Sequence, residues 1–296
     1  MILIWLILGW SLSYHKAQLG KSVGWIGYKL EIGENHVIAK IKEEFMKEFH
    51  DLTVELLAKP KLTLDALRSY AGKANHVAAL IYQWRPFLDQ IWAALSIKKV
   101  GTTAPVGAVW TKQVSYSLNW HLTFLRGSPG ELVRSWRVDF FSHRGVEVIM
   151  ILDASPFALG GILIEDGCVV SWFASELSNH DETIHKQQRG QAEGQQTWEA
   201  LCVLVAVRCW ASRWMDKRVS INMKSDNMAA LSLAARLKSK VSSLIAKETA
   251  LVYSSASFQP RYVEHVPGVL NFSADALSRL SDPNGDSWMG GMGART

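Results

Sequence analysis

The second half of the chain alternates short apolar runs with longer segments of helical spacing. "VEVIMIL" at 146–152 is almost wholly apolar, as in a central strand covered on both faces. "ALGGILIEDGCVVSWF" at 158–173 sets two apolar runs around Asp166-Gly167, a hairpin signal. Between residues 190 and 215, Trp198, Leu201, Cys202, Val205 and Cys209 recur at helical intervals. The length there selects a buried helix, although the "VLVAV" core would suit a strand. "VSINMKSD" sets Val219, Ile221 and Met223 against polar neighbours with the period of a strand. Asn227 can cap the helix "MAALSLAARL", and a further helix fits 241–256. "FQPRYVEHV" reads as a last strand with Pro260 near its start, and "ADALSRL" as a closing helix capped by Ser273. The order is strand, strand, strand, helix, strand, helix, helix, strand, helix. It predicts an antiparallel meander followed by strands delivered in parallel through helices. The fold class is therefore α/β: one mixed five-stranded sheet with helices on its faces.

The first half reads differently. Residues 1–58 predict a helix, short strands around "GWIGYKLEI", and then a helix over "HVIAKIKEEFMKEFHDLTVELL", where Ile38, Ile41, Phe45, Phe49 and Leu52 keep helical spacing. Pro60 breaks the chain. Two or three helices follow over 62–95, with Thr63 as a cap, Gly72 as a break and Pro86 starting the last. Residues 97–109 have loop composition and mark the main boundary; "WTKQVSYSLNWHLTFL" is helix-like and "RGSPG" ends it. The apolar "MILIWLILGW" is shorter than a membrane span, which needs about 20 residues, and lacks the basic start of a signal peptide. It is expected to be a buried helix, and its abrupt start suggests a chain that begins inside a larger domain. "SDPNGDSWMGGMGART" at the other end is expected to be a disordered tail.

Composition narrows the function classes only a little. The 296 residues, 48 % apolar and 20 % charged, allow about two ordinary globular domains. The net charge of +5 and pI of 9.0 mildly favour a polyanionic partner. The basic residues cluster: Arg208 to Lys247 holds nine Lys/Arg against Asp216 and Asp226. Such a cluster is also an ordinary solvated face. Three cysteines in apolar surroundings suit reduced thiols in an intracellular, non-secreted protein. Cys202 and Cys209 with His180 and His185 fit no standard zinc spacing. "LGKS" at 19–22 lacks the earlier glycine of a phosphate loop.

Four acids carry the candidate chemistry. Asp153 and Asp226 end strands that should be parallel neighbours, at the sheet edge where open α/β sheets bind ligands. Glu199 sits early in the long helix and Asp275 in the first turn of the last. Each has an ordinary explanation: an Asx turn for Asp153, helix N-termini for Asp226 and Asp275, an exposed helix position for Glu199. Together they would repel one another unless cations offset them. Hard divalent ions with oxygen ligands do so, and Mg²⁺ commonly binds a few carboxylates plus substrate phosphates.

Residues 146–281 resemble the ribonuclease H domain of retroelement reverse transcriptases. The resemblance rests on "LDASPFALGGIL", "WEAL", "KSDNMAAL" and "HVPGVLNFSADALSR", in order and with fitting spacing. His265 precedes Asp275 by ten residues and Asn271 precedes it by four. It implies a ribonuclease H-like fold and cleavage of the RNA strand of RNA–DNA hybrids. It also implies two Mg²⁺ ions, with Mn²⁺ as a substitute, held by Asp153, Glu199, Asp226 and Asp275, and assistance from His265. Gly160 and Gly161 would let the hybrid's backbone approach, Asn271 would touch nucleic acid, and Arg236, Lys238 and Lys240 would grip phosphates. The first part also resembles a retrotransposon reverse transcriptase, as the end of a palm followed by thumb and connection. The implied division is 1–96 palm-end and thumb-like, 97–145 linker or connection, 146–281 ribonuclease H-like, 282–296 tail. No Tyr-x-Asp-Asp-like motif occurs, so no DNA synthesis by this chain alone is implied, and the rest of a reverse transcriptase polyprotein is an expected partner; no membrane partner is expected. The alternatives are a silent nucleic-acid-binding remnant, host-adopted or decayed, and another nuclease on the same fold.

Overall fold

The computed structural model describes residues 18, 20–25, 27–96, 106–127, 132–137, 146–214, 219–239, 242–256 and 262–283. The apolar stretch at 1–10, Lys240 and the segment 284–296 lie outside the described residues. The described N-terminal part opens with β1 (Ser22–Trp25), β2 (Tyr28–Ile32) and β3 (His36–Ile41), an antiparallel meander. Helical spacing predicts a helix from residue 36. The structure corrects this: 36–41 is a strand, and α1 is Glu43–Ala58. Val37, Ile38 and Ile41 are β-branched, and β3 pairs with a neighbour on both sides, so pairing overrides the spacing.

Strand β4 (Lys61–Thr63) leads into α2 (Leu64–Leu80), where Ala66 N donates to the Thr63 hydroxyl at 3.2 Å, the expected cap. Gly72 does not break α2: an interior glycine weakens a helix by under about 1 kcal/mol, and seven other α2 residues are buried against the core. In α3 (Arg85–Ser96), Pro86 occupies the first turn, where its missing N–H removes no helix bond. Strand β5 (Ala108–Trp110) pairs with β4, and α4 (Ser115–Leu125) is followed by β6 (Val133–Arg137) on the free edge of β3. Two stretches within 97–145 are thus strands of the preceding unit. Their brevity hid them, since three to five residues hold too few positions to show a period. Phe49, Tyr70, Trp84 and His121 are fully buried together; His121 stacks on Trp84 with ring centroids 4.7 Å apart.

In the second half, β7 (Val146–Ala154), β8 (Ala158–Glu165) and β9 (Cys168–Glu176) form the expected antiparallel meander. The turn at Asp166-Gly167 has φ of +48° and +81°, the left-handed pair a tight hairpin requires. A short helix α5 (Asn179–His185) follows. It has no buried residue and so no apolar stripe to reveal it, but Ser178 and Asp181 close a capping box. Helix α6 (Gln195–Trp210) is buried on almost every side, which explains its mixed strand-and-helix sequence signal.

Strand β10 (Val219–Ser225) pairs parallel to β7, α7 (Met228–Arg236) and α8 (Ser243–Ala256) follow, and β11 (Tyr262–His265) pairs parallel to β10. The chain continues into α9 (Phe272–Ser278). The sheet order is β11-β10-β7-β8-β9, the expected mixed five-stranded sheet with flanking helices. Asn227 caps α7 as expected, its side chain accepting from Ala229 N and Ala230 N. The cap of α9 differs: the helix begins at Phe272, so Ser273 lies inside it. Helices α6 and α9 cover opposite faces, because Gly160 faces α9 whereas Gly161 faces the Phe173 ring, which packs on Trp210 of α6. The two halves meet at α8: Tyr253 lies 6.4 Å from the Tyr82 ring, and Lys247 Nζ sits 4.3 Å over the Tyr116 ring. Among the described residues no helix is long and apolar enough to cross a membrane.

Candidate metal centre

Strand register places the first two acids. The β7–β10 pairing ends at Ile151↔Lys224, so Asp153 and Asp226 each lie two residues past it, at matching tips of parallel strands. Glu199 reaches the same point from the second turn of α6. One carboxylate oxygen from each of Asp153, Glu199 and Asp226 lies within 4.8 Å of the others. Asp153 and Glu199 are 5 % and 4 % exposed, whereas Asp226 opens to solvent.

This burial has an electrostatic consequence. Desolvation first, then the nearby Asp226 and Asp275, push Asp153 up to about 6. Desolvation, then Asp153 and Asp226, push Glu199 up to about 8. Both carboxylates therefore resist ionising together without a compensating cation. Oxygen donors only, clustered, with one open side: this donor set fits a hard divalent ion.

Asp275 is not one of the three. It lies close enough to raise the Asp153 pKa, but its Oδ1 accepts from Arg279 Nε at 2.6 Å, one turn along α9. His265, the last residue of β11, is exposed at the rim, and its Nε2–H donates to the Asp226 carbonyl at 3.0 Å. The loop after it closes tightly: a Cβ on Gly268 would come within 3.1 Å of Asp226 Oδ2.

Three expectations change. A Cβ on Gly160 would meet Ala274 O at 2.4 Å and Ser278 N at 2.6 Å, and one on Gly161 would meet the Phe173 ring at 2.3 Å. Both glycines are filled against by this chain, so their place is to admit α9 and Phe173 rather than a hybrid backbone. Asn271 is 1 % exposed and cannot touch nucleic acid; its Nδ2 donates to Asp153 Oδ1 at 3.1 Å and to Leu152 O at 3.2 Å. Arg236 and Lys238 are exposed at the far end of α7, about 13 Å from its start by helix rise. Lys240 lies outside the described residues.

Two residues at the site escaped the sequence reading. Ser278 is fully buried, with its hydroxyl 2.6 Å from Asp153 Oδ2. Gln195 Nε2 donates to Ala154 O at 2.5 Å and to Glu199 Oε1 at 3.1 Å. Their signal was helical spacing: Gln195 is one turn before Glu199, and Ser278 one turn after Asp275. Beneath them the Cys202 thiol donates to Asp153 O at 3.2 Å or Gly160 O at 3.3 Å, and burial holds it protonated. Cys168, Cys202 and Cys209 are all free thiols.

No family model matches the chain, and no curated protein matches its sequence. Among solved structures it is similar to RNase H1 from the halophilic archaeon Halobacterium salinarum NRC-1, at 18 % identity and a TM-score of 0.31, over 45 % of this chain and 92 % of that one. It is also similar to the foamy viral protease-reverse transcriptase in complex with an RNA/DNA hybrid, at 15 % identity and a TM-score of 0.33, over 86 % of this chain. The chain spans 31 % of that foamy viral protein. A third is LC11-RNase H1 isolated from compost by a metagenomic approach, at 12 % identity and a TM-score of 0.32, over 45 % of this chain and 91 % of that one.

Proposed function

We propose that the chain is a ribonuclease H-type hydrolase that cleaves the RNA strand of RNA–DNA hybrids with divalent cations, as part of a retrotransposon reverse transcriptase. The observation that carries the reading is the convergence of Asp153, Glu199 and Asp226 within 4.8 Å, two of them buried. The substrate class rests on the motif series ending in His265, Asn271 and Asp275.

In this reading Asp153, Glu199 and Asp226 would hold Mg²⁺ or Mn²⁺, with Asp275, here paired with Arg279, as the fourth candidate ligand. A bound divalent ion supplies activation of water and stabilisation of phosphate charge in in-line displacement. Asp153 is central because it is rigidly seated and feels both Asp226 and Asp275. His265, anchored through Nε2, keeps Nδ1 for a proton at the rim. Arg236, Lys238 and Lys240 grip phosphates, so binding is salt-dependent and indifferent to base sequence. Hybrid selection works through shape and 2′-hydroxyl contacts.

The test is cleavage of an end-labelled hybrid in Mg²⁺ or Mn²⁺. Asp153→Asn should abolish products while leaving the thermal melt cooperative. Undiminished cleavage by that variant overturns the proposal. Wild-type binding without products identifies a silent module instead, and cutting of plain DNA duplex identifies another nuclease.

A further inference from the structure

Strand β7 outruns its partner at the site. Its pairing with β10 stops at Ile151, yet it continues to Ala154. Two carbonyls in that overhang, Leu152 O and Ala154 O, accept from side-chain amides: Asn271 Nδ2 bonds the first, Gln195 Nε2 the second. Each amide uses the same nitrogen on a carboxylate, Asn271 on Asp153 Oδ1 and Gln195 on Glu199 Oε1. Ser278 takes the remaining Asp153 oxygen. Each amide thus ties a carboxylate to the backbone of the strand that carries Asp153. The two come from opposite faces of the sheet, Gln195 on α6 and Asn271 at the start of α9. Their own carbonyl oxygens, Gln195 Oε1 and Asn271 Oδ1, are buried without a hydrogen-bond partner.

We infer that Gln195, Asn271 and Ser278 are positioning residues that fix Asp153 and Glu199 in the orientation a divalent cation requires; the inference rests on the metal-dependent reading above. None touches the reacting phosphate. They act through the two buried acids, fixing which carboxylate oxygens face the cluster and which are tied to the protein. Partners of metal-ligating groups typically set metal affinity by 10–100-fold.

The test is Mn²⁺ binding to the full chain by calorimetry or electron paramagnetic resonance, beside thermal melts without metal. Gln195→Ala, Asn271→Ala and Ser278→Ala should each weaken Mn²⁺ by about tenfold or more. Ser278→Thr, which keeps the hydroxyl, should restore affinity relative to Ser278→Ala. Gln195 is partly exposed, so its variant folds even if a fully buried change does not. A merely structural role would lower the melting temperature and leave affinity within twofold of wild type, and that result overturns the inference alone. Absence of any Mn²⁺ binding by the wild type overturns the metal reading and the inference with it.

Discussion

Gly160→Ala tests how closely the fold and the acid cluster depend on one another. The added methyl would lie 2.4 Å from Ala274 O, 2.6 Å from Ser278 N and 3.0 Å from Leu277 Cβ. Two of these are backbone atoms of α9, which cannot rotate away as a side-chain end can. Ordinary contact begins near 3.4 Å, so α9 must retreat by about 1 Å. Overpacking of this kind costs about 1–3 kcal/mol. The retreat also carries Ser278 away from Asp153, turning a 2.6 Å hydrogen bond into a gap too long to be one. Losing a hydrogen bond to a charged group adds about 1.5–3 kcal/mol. The expected total is a loss of about 2.5–6 kcal/mol in urea unfolding, with Mg²⁺-dependent hybrid cleavage falling alongside. Wild-type stability together with wild-type cleavage would refute the argument, because it would mean that the spacing of α9 from β8 is immaterial to both.

Gly72→Ala should do the opposite. Nothing lies within 4 Å of the new Cβ in the middle of α2, so urea unfolding should show a gain of about 0.5–1 kcal/mol. Asn227→Ala removes the acceptor for Ala229 N and Ala230 N, and a thermal or urea melt should show a loss of about 1 kcal/mol. Burial lowers His121 from 6.5 to about 3, so its neutral ring stabilises the fold fully above pH 6.5 and that contribution fades as pH falls toward 3. His121→Phe should therefore lose about 2 kcal/mol less than wild type between pH 6.5 and 5 in urea titrations; parallel losses would count against a neutral buried imidazole. Arg236→Ala and Lys238→Ala should each reduce the slope of log affinity for a hybrid against log salt by about one, without altering sequence preference.

The elements around Asp153, Glu199 and Asp226 were legible because they had strong local signatures: a nearly all-apolar strand, a hairpin turn, a long apolar helix, an asparagine cap; the helix of Asp275 was found but its cap was misplaced. Boundaries failed where tertiary pairing decided the matter. Residues 36–41 have helical spacing and β-branched chemistry at once, and only the presence of β2 and β6 on either side resolves the conflict toward strand. Helix α5 was invisible because a helix that buries nothing leaves no period to read. The same division runs through the site. Charged groups announce themselves by type and position, so Asp153, Glu199 and Asp226 could be named before their distances were known. The groups that hold them do not. Ser278 and Gln195 look like any small polar residue on a helix, and Asn271 and Gly160 look like ligand contacts until α9 is seen lying against them. A polar side chain can face a ligand or the protein itself, and the letter in the sequence is the same in both cases. What separates them is burial: at 1 % exposure the Asn271 amide has only protein to bond, whereas Asp226, at the same sheet edge, keeps a side open to solvent. The site is therefore divided by depth, with seating groups below and a ligand-facing carboxylate above, and depth is the quantity a one-dimensional pattern carries least of.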